Sequence, residues 1–234
     1  MRRILAFATV LALTAGPALA QEYRFSANAA RGYSGRTDDL PNIQMKRRAD
    51  NLVVSVRVAC DTRDPEQRRR EINETLRAMA RAAGVHPAIE LSLDASGNVV
   101  AFDESMVPNL SFFMDDGRQD TSAVTLVIKT PIAATDTLEA SSNRIRAFVS
   151  SAPKTGRTEL RIMDDWEPTV ISPDQYRPAI LLAVAEDARA TASAFGSDYR
   201  VQVAGLSRQV VWRQAGPLDL MLYIPYQLSV TPGR

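Results

Sequence analysis

The chain of 234 residues contains one cysteine and one histidine. A lone cysteine excludes an intramolecular disulfide, and a lone histidine excludes a two-histidine metal site. Aromatic residues are few, at 6%, and basic and acidic residues nearly balance to a net charge of +1. No global field therefore favours nucleic acid or anionic lipid. Nucleophile-elbow, Walker and dinucleotide-binding glycine patterns are all missing. After residue 20 no uncharged apolar run reaches the length of a membrane helix.

The N-terminus carries the clearest signal. Arg2 and Arg3 precede an apolar core from Ile4 to Ala15, Gly16-Pro17 breaks it, and Ala18-Leu19-Ala20 supplies an A-x-A site. This order reads as a signal peptide over residues 1–20, cleaved after Ala20. The mature chain is expected in the periplasm, without a membrane span. With Gln21 and not a cysteine directly after the cleavage point, no lipid anchor is expected. Residues 21–44 read as a partly ordered lead-in, in which "EYRFSA" has the pattern of an edge strand.

From residue 45 onward, strand and helix patterns interleave. "NLVVSVRVAC" (51–60) is β-branched and alternating, which predicts a strand ending at Cys60, packed like a small hydrophobe. Asp64, Pro65 and Gln67 then form a helix start. Ile72, Leu76, Met79 and Ala83 follow as one apolar stripe, with the arginines at 68, 69, 77 and 81 mostly on other faces. "AIELSLD" and "NVVAFD" predict a hairpin around Ser96-Gly97. After an irregular stretch at 104–120, "TSAVTLVIKTPI" predicts a strong strand. "DTLE" (136–139) and "SPDQ" (172–175) repeat the helix-start pattern, and "RTELRIM" lies between them as a strand. Three closing strands are expected, the last interrupted by Pro225. The fold class is α+β: a largely antiparallel sheet or sheets with about three packing helices, arranged as two βαβ-type halves.

Few residues offer chemistry. Glu186 and Asp187 lie in the helix "RPAILLAVAEDARATASAFG" (177–196). A helical wheel puts Ile180, Leu181, Val184, Ala188, Thr191, Ala192 and Phe195 on the packing face, Glu186 opposite, and Asp187 at the border. That is a helix edge rather than a catalytic pair. His86 reads as a capping or surface residue, and "DDGRQD" (115–120) as a turn that lacks the EF-hand spacing. Asp164-Asp165-Trp166 has the ingredients of a sugar subsite, two carboxylates and an aromatic platform, but suits a turn equally. No catalytic, cofactor-binding or metal residues are assigned, and no cofactor is expected.

The helix "AVAEDARATASAFG" resembles the alanine-rich final helix of the SIMPL-domain family, through Ala183, Asp187, Ala188, Arg189, Ala192 and Gly196. "ADNLVVSVRV", a helix and Ala83-Gly84-Val85 are similar to that family's opening, and "LMLYIPYQLSVTP" to its closing strand. The resemblance covers most of residues 45–232. It implies an exported envelope protein, often oligomeric, with no catalytic residues to carry over. The expected function is non-enzymatic: self-association, or binding of an envelope partner, with no nucleic acid involved. Tyr223 and Tyr226 on the last strand are the candidate interface anchors. The alternative is a periplasmic small-molecule binding module using the 104–120 loop and Trp166. A third reading is a hydrolase with an unrecognised carboxylate pair.

Overall fold

Alternation in "NLVVSVRVAC" gives β2 (Asn51–Cys60), the centre of the main sheet, directly after β1 (Met45–Arg48). Val54, Val56, Val58 and Cys60 point to the core, while Ser55, Arg57 and Ala59 take the other face and are half-buried. These coordinates are a computed structural model, which describes residues 40–95 and 98–233. The expected signal segment with its expected cleavage point after Ala20, the expected lead-in up to residue 39 with "EYRFSA", and the expected Ser96-Gly97 turn lie outside the described residues.

Helix α1 (Pro65–Val85) starts where the sequence places it. The Asp64 carboxylate accepts from the Gln67 N–H at 2.7 Å, and Pro65 takes the first turn, where no N–H is needed. Its stripe of Ile72, Leu76 and Met79 is fully buried. Arg68 is a correction to the sequence reading. It belongs to this buried face, four residues before Ile72, and not to the solvent side.

The hairpin strands β3 (Glu90–Ala95) and β4 (Asn98–Ala101) pair with each other, and β3 then pairs with β5 (Ser122–Pro131). Helix α2 (Leu138–Ser151) follows, capped by Thr137, whose side chain accepts from the Ala140 N–H at 3.1 Å. The "DTLE" match is thus shifted by one residue. Asp136 is occupied elsewhere, accepting from the Ala133 N–H and from Arg144. Strands β6 (Thr158–Ile162) and β7 (Glu167–Thr169) complete the sheet on the far side of β2.

The order β4-β3-β5-β2-β6 explains the expected βαβ units. β2 and β3 are both antiparallel to β5, which lies between them. β5 and β6 are likewise both antiparallel to β2. Two βαβ-type units are present, interleaved in one sheet rather than set side by side. This is the split βαβ order of ferredoxin-like folds. Both helices cover one face of the sheet, α1 with Ile72, Leu76 and Met79 and α2 with Ile145 and Phe148, over Val124, Leu126 and Ile128. On the other face Arg57 pairs with Asp115 and stacks on the Phe113 ring, 5.3 Å from its centroid.

The C-terminal third builds a second, smaller layer. A 3-10 turn (Pro173–Tyr176) leads into α3 (Arg177–Phe195), with Pro178 in its first turn. β8 (Tyr199–Ala204), β9 (Val211–Gln214), β10 (Asp219–Tyr223) and β11 (Gln227–Pro232) follow. The expected final strand is two strands, because the chain changes sheets at Ile224-Pro225-Tyr226. β10 pairs with β1 and β9, and β11 pairs with β8 alone. Gly205, at φ +86°, permits the close approach of the Pro225 carbonyl, 2.9 Å from where a Cβ would stand. Arg208 donates to that same carbonyl at 3.2 Å. A second core forms here from Ala49, Val170, Ile180, Val184, Val210, Leu220, Leu222 and Ile224. Among the described residues, no helix is long and apolar enough to cross a membrane.

Candidate functional site

The tyrosines expected to anchor an interface do not reach the surface. Tyr223 is 2% exposed and Tyr226 7%. This is a correction with a simple cause: Tyr223 ends the central strand β10, and Tyr226 turns into the second core. Burial pushes the Tyr226 phenol up from its ordinary value. The backbone of Ile43 opposes that shift, and the Asp187 carboxylate adds to it. Asp187 is half-buried, as its border position on the wheel predicted.

The carboxylate and aromatic candidates are engaged by neighbouring groups of the fold. Asp165 accepts from the Ser55 N–H at 3.3 Å, in the gap between β6 and β7 where β2 has no ladder partner on that side. Asp164, in a left-handed conformation at φ +60°, accepts from Arg146 at 3.2 Å. The same guanidinium lies over the Trp166 ring at 5.0 Å from its centroid. The aromatic platform a sugar would need is covered by a cation. In the 115–120 turn, Asp115 is taken by Arg57 and Asp120 by Arg118. His86 caps α1 and accepts from the Ala88 N–H at 3.2 Å through Nδ1.

Sequence reasoning missed a buried carboxylate. The Glu71 Oε2 atom accepts from Thr62 Oγ1 at 2.6 Å, Cys60 Sγ at 3.3 Å and the Arg157 N–H at 3.1 Å, while Oε1 accepts from Gln67 at 2.8 Å. These bonds, the one from Thr62 first, hold its carboxyl down at about 2. Hydrogen bonds to the ionised form always act in this direction. The charge keeps the Cys60 thiol engaged as a donor inside the core. Gly156, at φ +58°, has no room for a Cβ, which would stand 2.0 Å from the Glu71 carboxyl carbon. Glu71 therefore ties α1 to the end of β2 and to the turn before β6. It is a structural tie, closed to any substrate.

The surface least satisfied by its own fold is on the second layer. Of nineteen residues in α3, only Ile180 and Val184 are buried. Leu182, Glu186, Arg189 and Ser193 are exposed along one stripe, with Ala190 beside it, and Leu182 is 58% exposed. Glu186 is solvent-facing, as the wheel predicted. Phe195 is a correction. The wheel sets it on the packing face, yet it is 52% exposed. The second core underlies only the first half of the helix. At the last turn Phe195 lies against the Tyr199 ring, with centroids 5.7 Å apart. The β8–β11 sheet below contains no buried residue. Two strands alone are marginally stable in water, so this layer is thin on both sides.

Comparison of the chain with protein-family models, curated proteins and solved structures finds no match.

Proposed function

We propose that the protein is a non-enzymatic, exported SIMPL-like protein of the periplasm that acts by self-association, with a second copy of the chain covering α3. The observation that carries this reading is the exposed stripe Leu182-Glu186-Arg189-Ser193. The stripe is complementary to itself. In an antiparallel pair of α3 helices related by a two-fold axis between residues 187 and 188, Glu186 of each copy faces Arg189 of the other. Leu182 then faces Ser193, and Ala185 faces Ala190. Isologous contacts require this reciprocity, and small residues opposite a leucine allow close approach of the helices.

A helix of nineteen residues is about 28 Å long. One such strip on each partner falls at the low end of stable interfaces, so association is expected at roughly micromolar concentration. The chain, expressed with its leader and purified after export, should sediment as a concentration-dependent monomer–dimer. A monomer at every concentration, with a different periplasmic protein crosslinked at α3, would replace self-association by an envelope partner.

A further inference from the structure

We infer that the groove between the start of α1 and residues 108–112 binds a small oxyanion, a phosphate or carboxylate head, on Arg68. The groove has a volume of about 630 Å³, and its wall includes Arg68, Arg69, Glu66, Ser111, Ser122 and Phe112. Arg68 is 8% exposed. It spends Nε on Ser122 Oγ at 3.1 Å, and Nη1 on the carbonyls of Thr62 at 2.8 Å, Asp120 at 3.1 Å and Arg63 at 3.4 Å.

None of these partners carries charge. Among the described residues Arg68 has no ion pair, and its Nη2 has no hydrogen bond. That nitrogen is also not sealed from solvent, and the solvent beside Arg68 is that of the groove. A guanidinium is always protonated, and a buried charge without a counter-ion is costly. Asp64 accepts from the Gln67 N–H and Asp120 pairs with Arg118, and neither forms an ion pair with Arg68. Arg69 and the Ser111 hydroxyl add a second cation and a further donor at the rim, against the one negative charge of Glu66. Phe112, Leu110 and Pro108 give the groove an apolar side for whatever the head is attached to. The fork of an arginine held rigid by its other nitrogens suits a planar or tetrahedral oxyanion.

The test titrates the full chain with inorganic phosphate and, separately, with acetate, at constant ionic strength set by chloride. Saturable stabilisation by either anion, a rise in melting temperature of about 3 °C or more at saturation, supports the site and identifies the head it prefers. Arg69→Ser should weaken binding about three- to tenfold without moving the melting temperature of the free protein, since Arg69 is exposed and a rim charge contributes modestly. Arg68→Lys should weaken it about tenfold or more. Equal shifts with chloride alone, or anion affinity unchanged in both variants, would overturn the proposal.

Discussion

The two layers of this molecule spend the same kinds of residue very differently. In the main sheet, β2 and β5 bury Val54, Val56, Val58, Leu126 and Ile128 beneath two helices. In the outer layer, α3 buries two residues and the pair of strands β8 and β11 none. A split βαβ sheet closes its core with its own elements. The end of α3 over the β8 and β11 pair is not closed in this way, because the second core reaches only the first half of the helix, and its remaining face is available to a partner. Surface function is therefore expected where packing is thin, since fold by itself does not assign function.

The contrast can be broken most forcefully in the main layer. Leu126→Ala should destabilise by about 3 kcal/mol in denaturant unfolding, because its site is fully enclosed and cannot collapse. If the loss were under about 1 kcal/mol, the inner core would be no tighter than the outer one.

A smaller effect is expected from acid, and it isolates the Glu71 tie. The carboxyl is lowered from its ordinary 4.5 to about 2 in the folded chain. Its stabilisation is therefore complete above about pH 4.5 and is lost as pH falls from there towards 2. Other carboxyls lie low for similar reasons, Asp136 chiefly through its hydrogen bond from Arg144 and Asp61 through Arg157, so the informative quantity is a difference. Urea midpoints at pH 6 and pH 3 should differ more for the wild type than for Glu71→Gln. Equal pH dependence would show that Glu71 is not the tie.

The smallest effect belongs to the outer stripe. Glu186→Ala should change monomer stability by no more than about 0.5 kcal/mol, like other exposed sites. Cysteine labelling sharpens the same comparison. Cys60 is 1% exposed and donates to Glu71, so a thiol reagent should react far more slowly under native conditions than in denaturant.

Much of the main layer was legible in sequence because local signals and tertiary burial agree there. Alternation set β2, and Asp64-Pro65 set the start of α1. The failures occur where a distant partner decides. Asp136 matched a cap but is held by Arg144, so Thr137 caps instead. Phe195 sits on the correct side of its helix, but the core beneath it ends early. Asp164-Asp165-Trp166 suits a turn or a sugar subsite in sequence, because nothing there shows that Arg146 folds over the Trp166 ring. Arg68 did leave a signal, since it lies four residues before Ile72 on the buried stripe, and its charge argued misleadingly for solvent. Glu71 and Leu182 left none, because their roles depend on Gly156 and on the shortness of the second core.

If α3 pairs with a second copy through reciprocal Glu186 and Arg189 contacts, a charge swap should first break the pair and then restore it. Sedimentation velocity on the full chain, the single variants Glu186→Arg and Arg189→Glu, and the double variant should be compared from about 1 to about 200 µM, a range that brackets micromolar association. The account predicts a dimer for the wild type, weaker association by about tenfold or more for each single variant through like-charge repulsion, and recovery in the double variant. Wild-type dimers unaffected by either single change, or a chain that stays monomeric throughout, would contradict it.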